Sequence, residues 1–187
     1  MEWVPRHEFV PAQLLDAAYE DRALPIGLEQ TISQPYTVAF MCQEARLTAG
    51  DNVLEIGTGS GYCAAVLSLL TAEVHTIERI EELHHTARER LTRLGYKNVH
   101  CYLADGTTGL ASKAPFDAII CTAGAEVLPA AYKQQLADAG RLIIPVGPHS
   151  HQQMLRLTRH ADKFHREELG TFGFVPLISS ERHSPPF

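Results

Sequence analysis

Long apolar stretches are missing from this chain of 187 residues, although 45% of its residues are hydrophobic. The apolar runs are interrupted every few positions, so none approaches the roughly 20 residues that a membrane-spanning helix needs. The first ten residues, MEWVPRHEFV, also lack a basic segment followed by a long apolar one, which is the pattern of a secretory signal. We therefore expect a cytoplasmic protein that has no membrane partner.

Cysteine is scarce too, with four residues in the whole chain. Cys42, Cys63, Cys101 and Cys121 are far apart, and no pair has the CxxC spacing that is typical of zinc and redox sites. Three of them lie inside apolar stretches. We predict four reduced thiols in or near the core, and no zinc site.

The histidines give no better metal site. His84 and His85 are adjacent on a predicted helix, where neighbouring side chains point about 100° apart and chelate poorly. His149 and His151 fall in a predicted turn after Pro148. We interpret both pairs as surface histidines and predict no bound metal.

An excess of positive charge is also missing, because the net charge is −6 with neutral histidines. The densest basic stretch, Arg88, Arg90 and Arg93, alternates with Glu89 on a predicted helix and is typical of a solvated helix face. An acidic protein does not attract polyanions through its overall field. We therefore expect no nucleic-acid partner.

What the sequence does contain is an alternation of strand and helix patterns, which predicts an α/β fold with a doubly wound, mostly parallel sheet. The chain is long enough for one domain with a full core, and short for two. Short apolar or β-branched runs predict strands at 52–56, 73–78, 98–103, 116–122 and 141–146. Amphipathic or small-residue patterns predict helices at 61–70, 80–94 and 130–136.

The two ends of the chain depart from this alternation. After Pro148, residues 153–158 and 170–177 predict two strands with no helix between them, and thus an antiparallel C-terminal pair. Before the first strand, residues 11–19 and 35–47 predict helices that flank an irregular segment at 23–35. The predicted single domain, residues 1–187, thus has an N-terminal extension (1–50), a core (51–148) and C-terminal strands (149–187).

The most informative stretch is EIGTGSG, residues 55–61, at the end of the first core strand. Ligands of open α/β sheets bind beyond the carboxyl ends of the strands, and glycine there lets a ligand approach the backbone. Tyr62 stands where the dinucleotide fingerprint GxGxxG has its third glycine. The carboxylate of Glu55 would repel a pyrophosphate but tolerate a cationic ligand. The pattern ExGxGxG resembles that of S-adenosylmethionine-dependent methyltransferases, whose ligand carries an amino group and a sulfonium.

Two more acidic residues follow the next two strands. Glu78 ends the second strand, where it could accept hydrogen bonds from both ribose hydroxyls. Asp105 follows the third strand and could accept from an adenine amino group, with Gly106 leaving room for the ring. For either acid taken alone, capping of the next helix is an alternative role. Together with Glu55 they favour a nucleotide site, because the sheet gathers these strand ends around one crevice.

Longer segments resemble one family, the protein-L-isoaspartate O-methyltransferases, from about Pro5 to Leu177. The resemblance is carried by ALPIGLEQTISQPYTVAFM, VLEIGTGSGY, TIER, LGYKNV, ADGTTG, APFDAIICTAG, GRLIIPVG and FVPL. TISQP and FVPL are specific to that family, whereas many methyltransferases share the glycine loop. The chain departs from some members at Val38, where they have histidine, at Ile178, where they have threonine, and in a shorter N-terminal helix.

This resemblance implies a Rossmann-like methyltransferase fold and a repair enzyme. The family transfers a methyl group from S-adenosyl-L-methionine to the free α-carboxylate of an L-isoaspartyl residue, which leaves S-adenosyl-L-homocysteine. The ester then collapses without the enzyme to a succinimide, which reopens partly to normal aspartate. The implied partners are isoaspartyl proteins and peptides, and we expect a monomer.

Site residues follow from the resemblance position by position. Ser33 in TISQP matches the active-site serine. Positions that match cofactor contacts are Glu55, Gly57, Thr58, Gly59, Gly61, Glu78, Arg79, Asp105 and Gly106. Positions that match the substrate cleft are Thr31, Ile32, Gln34, Pro35, Val175 and Pro176.

The chemistry asks little of the protein, because a carboxylate with a pKa of about 4 is already ionised at neutral pH. No general base is needed, and positioning in a dry site does most of the work. We interpret Ser33 as a hydrogen-bond donor that orients the carboxylate; there is no GxSxG elbow that would make it a nucleophile. Taken alone, Ser33 could instead cap the helix that begins at Pro35. The alternative functions are methylation of another peptide or small carboxylate, and cofactor binding without catalysis.

Overall fold

The protein is described by a computed structural model that covers residues 3–148 and 151–179. Its centre is a seven-stranded sheet with the order β5-β4-β3-β6-β7-β8-β9, beside which lies a two-stranded hairpin, β1-β2. The strands are β1 Leu24–Gly27, β2 Gln30–Ile32, β3 Asn52–Ile56, β4 Glu73–Glu78, β5 Val99–Leu103, β6 Phe116–Cys121, β7 Leu136–Val146, β8 Gln152–His160 and β9 Lys163–Phe172. The helices are α1 Pro35–Glu44, α2 Tyr62–Ser68, α3 Glu81–Arg93 and α4 Ala130–Gln135.

Strands β3 to β7 pair in parallel, whereas β8 and β9 pair antiparallel at one edge. The α/β class, the mostly parallel sheet and the antiparallel C-terminal strands are therefore as predicted. The order reverses on either side of β3, so the carboxyl ends of β3, β4 and β6 meet at a topological switch point. A ligand crevice is expected at that point.

Apolar layers cover both faces of the sheet. One face packs against α1, α2 and the N-terminal extension, with Phe9, Leu24, Met41 and Val53 in one buried cluster. The other face packs Leu54 with residues of α4 and β7. Because side chains alternate along a strand, Val53 and Leu54 point to opposite faces. The N-terminal extension therefore shares the core with the sheet.

Three predictions at the chain ends need correction. Residues 11–19 form a short 3-10 helix, Ala12–Ala17, and the segment 23–35, predicted to be irregular, contains the hairpin β1-β2. The last strand is Lys163–Phe172 rather than 170–177. Several charged residues lie in this strand at the sheet edge, which is a usual protection of an edge strand and hides the apolar signal.

All four thiols are free, with Cys42, Cys63 and Cys121 buried and Cys101 half-buried. Within residues 3–148 and 151–179, no three His, Cys, Asp or Glu side chains come together in a way that could hold a metal ion. His149 lies outside the described residues. Over the same residues, no helix combines the length and the apolar character that crossing a bilayer would take.

Candidate active site

The glycine loop leaves β3 in a sharp turn that is pinned to two neighbouring strand ends. The N–H groups of Gly57 and Thr58 both donate to the Ile77 carbonyl, at 2.9 and 3.1 Å. Gly57 has φ +98°, and a Cβ there would lie 2.6 Å from the Thr122 hydroxyl. A side chain is therefore excluded on both conformational and steric grounds.

Glu78 lies at the end of β4 and ties the loop to the start of α3. One carboxylate oxygen accepts from the Gly59 N–H at 2.9 Å, and the other accepts from Arg79 and Ile80 at 2.8 and 2.9 Å. A carboxylate offers about four acceptor positions. The three N–H donors leave about one of these positions free, and the contact of Glu78 with the ribose hydroxyls stays a prediction. Glu78 thus lines the cleft and orders the turn before α3, which itself has no side-chain cap.

Glu55 does not reach the cleft, because its side chain is fully buried beneath the loop. Its carboxylate accepts from the Thr76 hydroxyl at 2.5 Å, and the Thr76 and Thr58 hydroxyls are 2.6 Å apart. This chain of polar groups connects Glu55 to the loop. Burial raises the pKa of Glu55 to about 7, so the carboxyl changes its charge near neutral pH.

Asp105 caps the 3-10 helix Gly106–Thr108. Its carboxylate accepts from the N–H and the hydroxyl of Thr107, at 2.8 and 2.7 Å. The capping alternative therefore describes what Asp105 does here, and its contact with adenine stays a prediction. A Cβ on Gly106 would lie 2.6 Å from Cγ2 of Ile56, so this position requires glycine.

The TISQP segment crosses from the hairpin to α1. Ile32 ends β2 and is buried. Ser33 follows it and lines the opening of the cleft at the carboxyl ends of the strands, which we call the mouth. The N-cap of α1 is Gln34, without a side-chain cap, so Ser33 does not serve as the cap. Among the described residues, the Ser33 hydroxyl has no hydrogen-bond partner, and it remains able to donate to a ligand.

The C-terminal segment after β9 closes the other side of the mouth. The Gly124 N–H donates to the Val175 carbonyl at 2.8 Å, and the Leu177 N–H donates to the Gly124 carbonyl at 2.7 Å. The neighbours of Pro176 make these bonds, so its missing donor costs nothing. The buried Gln152 amide accepts from the Phe174 N–H at 2.7 Å and donates to the Phe174 carbonyl at 3.2 Å.

Two cavities meet at this mouth. The first cleft, of about 820 Å³ with part of it open to solvent, runs along the glycine loop and the β4 end. The second cavity lies between α1 and the segment after β9. The residues that line both are Thr31, Ser33, Thr122 and Val175.

Most of the residues that the sequence predicts for the site lie on these cavities. The first cleft contains Thr31, Ile32, Ser33, Gly57, Thr58, Gly59, Glu78, Arg79, Gly106, Val175 and Pro176. Gln34 lines the second cavity. Glu55, Asp105, Gly61 and Pro35 line neither. Gly61 is the N-cap of α2 and packs against α3, where a Cβ would be 3.2 Å from Leu91.

Three residues of the site were missed in the sequence. The Thr122 hydroxyl donates to the carbonyls of Ile56 and Gly57 at 3.0 and 2.8 Å. The Tyr132 hydroxyl donates to the Gly106 carbonyl at 2.9 Å, and Gln152 holds the segment after β9. Thr122 follows β6 directly, so the strand-end rule that found Glu78 also applies to it. No sequence signal marks Tyr132 or Gln152.

Comparisons with known proteins show which family the chain resembles. Protein-L-isoaspartate O-methyltransferases of Dictyoglomus thermophilum and Roseiflexus castenholzii are 50% and 53% identical to the chain over 174 and 178 residues. These matches cover 93% and 95% of the chain, and 79% and 82% of the relatives.

Two solved structures have the same fold. A protein-L-isoaspartate O-methyltransferase superposes with a TM-score of 0.86 at 30% identity; the match covers 93% of this chain but 58% of that one. A Plasmodium falciparum protein of the same description, solved with S-adenosyl-L-homocysteine, gives 0.79 at 25% identity, with 94% and 86% covered. The profile described as protein-L-isoaspartate(D-aspartate) O-methyltransferase matches residues 1–182, and the chain belongs to that family.

Proposed function

We propose that the chain transfers a methyl group from S-adenosyl-L-methionine to the free α-carboxylate of L-isoaspartyl residues in peptides and damaged proteins. The observation that carries this proposal is the position of Ser33, which lines both cavities and has a hydroxyl without a partner in the described chain. A donor at the junction of a cofactor cleft and an acceptor cavity can hold the acceptor group where the two ligands meet. Family membership supplies the identity of both ligands.

The first cleft fits S-adenosylmethionine. Gly57 and Gly106 line this cleft and have no room for a side chain, because Thr122 and Ile56 lie against them on the other side. Glu78 has about one acceptor position left for a hydroxyl, and Glu55 lies beneath the loop as a carboxyl that a nearby cation would keep ionised. Together these groups suit a ligand that has a ribose and a positive charge. When bound, S-adenosylmethionine supplies an electrophilic methyl group on a sulfonium.

The second cavity suits a carboxylate that must stay reactive. Its described lining has no Asp, Glu, Lys, Arg or His, and its hydroxyls belong to Thr31, Ser33, Tyr36, Thr37, Thr122 and Thr171. Neutral donors orient an anion without the strong attraction of a fixed cation, which would stabilise the carboxylate before it reacts. The protein's part is to orient the acceptor and to exclude water, and no group in the cavity has to remove a proton.

The finer assignments complete the proposal. Ser33 orients the acceptor, and Thr31, Ile32, Gln34, Pro35, Val175 and Pro176 form the peptide cleft. Glu55 and Gly61 support the cofactor loop from behind, and Asp105 contacts the adenine amino group. We also propose that the protein acts as a single-domain monomer in the cytoplasm, independent of nucleic acid. The net charge of −6 supports the last point.

The test is methyl transfer from labelled S-adenosylmethionine to two peptides that differ only in isoaspartate against normal aspartate. We expect base-labile label on the isoaspartyl peptide alone. Ser33→Ala should lower kcat/KM for the peptide by about tenfold or more, because one oriented hydrogen bond to a charged group is lost. Ser112→Ala, at an exposed serine that lines neither cavity, serves as the control and should leave the rate unchanged.

The alternatives give different results. Label on both peptides, or only on a small carboxylate, would indicate a methyltransferase with another acceptor. Binding of S-adenosyl-L-homocysteine without label on any acceptor would indicate a cofactor-binding relative that does not catalyse the reaction.

A further inference from the structure

A row of three aromatic rings borders the second cavity, and the transfer reaction makes no use of it. The ring centroids of Tyr36 and Phe40 are 6.0 Å apart, and those of Phe40 and Phe172 are 5.1 Å apart, with interplanar angles of 30° and 34°. Tyr36 and Phe172 line the cavity. We call Tyr36, Phe40 and Phe172 the aromatic row.

Tyr36 is the exposed end of this row. It is 55% exposed, while Phe40 and Phe172 are half-buried behind it. The Tyr36 N–H donates to the Asp21 carboxylate at 2.9 Å, which fixes the backbone at the start of α1. The Tyr36 hydroxyl forms no hydrogen bond to the described residues. A ring that is held from behind and open in front offers a ready surface for another ring.

The aromatic row lies within reach of a group bound at Ser33. Ser33 and Tyr36 are three residues apart and line the same cavity. An extended peptide advances about 3.3 Å per residue, so the neighbours of a residue held at Ser33 pass close to the Tyr36 ring. The cavity lining has no charged side chain, and the Asp21 carboxylate, which accepts from the Tyr36 N–H, repels an acidic neighbour.

We propose that the aromatic row is a specificity subsite, which selects isoaspartyl peptides with an aromatic side chain within two residues of the isoaspartate. This inference rests on the proposed function, because it takes the acceptor to be a peptide bound at Ser33. Ring contacts of this kind correspond to a gain in kcat/KM of about threefold to tenfold, expressed mainly in KM.

The experiment uses a set of isoaspartyl peptides with alanine at all neighbouring positions, or with phenylalanine at one of the four positions within two residues. A further peptide has glutamate at the position where phenylalanine helps most. Each is assayed with the wild-type protein, Tyr36→Ala, Tyr36→Phe and Tyr19→Ala. Tyr19 is also exposed but lines neither cavity, so its variant is the matched control.

We expect at least one phenylalanine peptide to exceed the alanine peptide by about threefold to tenfold in kcat/KM, and the glutamate peptide to fall below it. Tyr36→Ala should bring the ratio of the phenylalanine to the alanine peptide close to one with kcat retained. Tyr36→Phe and Tyr19→Ala should keep the wild-type ratio of kcat/KM between the phenylalanine and the alanine peptide.

Two results would overturn the subsite while leaving the proposed function intact. One is methylation of all the phenylalanine peptides at the rate of the alanine peptide. The other is a preference for phenylalanine that persists in Tyr36→Ala. Absence of label on the alanine peptide itself would overturn the proposed function, and the inference with it.

Discussion

The Thr122 hydroxyl donates to the Gly57 carbonyl at 2.8 Å, and so joins the end of β6 to the glycine turn that follows β3. The same hydroxyl donates to the Ile56 carbonyl at 3.0 Å. These two bonds fix the backbone conformation of the glycine turn, in which Gly57 lines the first cleft. The contact is so close that glycine is the one residue type that fits.

Substitution of Gly57 tests this contact. Gly57→Ala places a Cβ 2.6 Å from the Thr122 hydroxyl and requires a left-handed φ of +98°. We expect at least tenfold weaker binding of S-adenosyl-L-homocysteine, measured by calorimetry, because the loop must shift. Gly50→Ala is the control, because a Cβ on Gly50 would meet no other atom within 4 Å. The Gly50→Ala protein should bind S-adenosyl-L-homocysteine as tightly as the wild type does. Equal affinity of Gly57→Ala and the wild type would contradict the assignment of the loop.

The charge of Glu55 predicts a pH-dependent affinity for the cofactor. The pKa of Glu55 is raised to about 7, chiefly by burial, and a sulfonium in the cleft would favour the ionised form. Below pH 7, binding of S-adenosylmethionine should therefore release a proton and tighten as the pH rises, by at most about tenfold per unit for one proton, and the affinity should level off above pH 7. S-adenosyl-L-homocysteine, which has no sulfonium, should show a shallower trend.

The same shift affects the stability of the ligand-free protein with the opposite sign. Because the pKa of Glu55 is higher in the folded than in the unfolded chain, its contribution is fully present below the unfolded value of 4.5 and is lost as the pH rises through about 7. Buried Cys42 has a pKa raised to about 12 and does not titrate in this range. Glu55→Gln should flatten the pH dependence of both the cofactor affinity and the stability. If the affinity of this variant, measured from pH 6 to pH 8, keeps the wild-type slope, another group is responsible.

The central sheet could be predicted because its strands are short apolar or β-branched runs that end in polar residues. The hairpin β1-β2 could not, because its two turn residues, Leu28 and Glu29, have φ of +52° and +59°. Asn and Gly usually occupy such positions, and neither of these residues gives that signal. Strand β9 was missed in part because its charged residues face solvent at the edge.

The sequence predicted correctly that the last residue of a strand lines the cleft, but it failed for a residue one position before the strand end. Glu78 is the last residue of β4 and lines the cleft. Glu55 is the residue before the last of β3, so its side chain points into the face that α1 and α2 cover. Sequence places these acids at the same edge, but the pleat of the strand decides which of them meets the ligand. The contacts of Gln152 come from distant parts of the chain and have no local pattern.

Gln152 is expected to hold the peptide side of the mouth. Its amide, 1% exposed, bonds both the N–H and the carbonyl of Phe174, and Gln152→Ala leaves those two groups without a partner. We expect a loss of about 2–4 kcal/mol in the free energy of unfolding and a higher KM for the isoaspartyl peptide. The affinity for S-adenosyl-L-homocysteine should change much less.

Gln153 provides the comparison for this prediction. Its amide donates to the Gly170 carbonyl at 3.0 Å in a more exposed setting, so Gln153→Ala should cost less than about 1 kcal/mol. Urea unfolding and peptide kinetics on both variants measure the difference. A Gln152→Ala protein with an unchanged peptide KM would show that the segment after β9 does not depend on this amide.

A histidine pair at the far end of the sheet predicts acid sensitivity of the fold. The His75 and His100 rings are stacked with centroids 5.2 Å apart, and the His75 ring contacts the Tyr102 hydroxyl at 3.0 Å. Burial, and then the charge of His100, lower the pKa of His75 below its usual 6.5. The unfolded chain thus takes up the proton first, and the contribution of His75 to stability, fully present above pH 6.5, is lost as the pH falls through the folded value.

His75→Phe removes this proton site and keeps an aromatic ring in the pocket. The free energy of unfolding should then fall less between pH 7.5 and pH 5 than it does in the wild type, with a difference in slope of at most about 1.4 kcal/mol per pH unit for one proton. His85, exposed on α3, is the control, and His85→Asn should follow the wild-type profile. Carboxylates elsewhere affect all three proteins alike, so the difference between the urea-derived profiles isolates His75. Parallel profiles for His75→Phe and the wild type would mean that the buried ring titrates as it does in the unfolded chain.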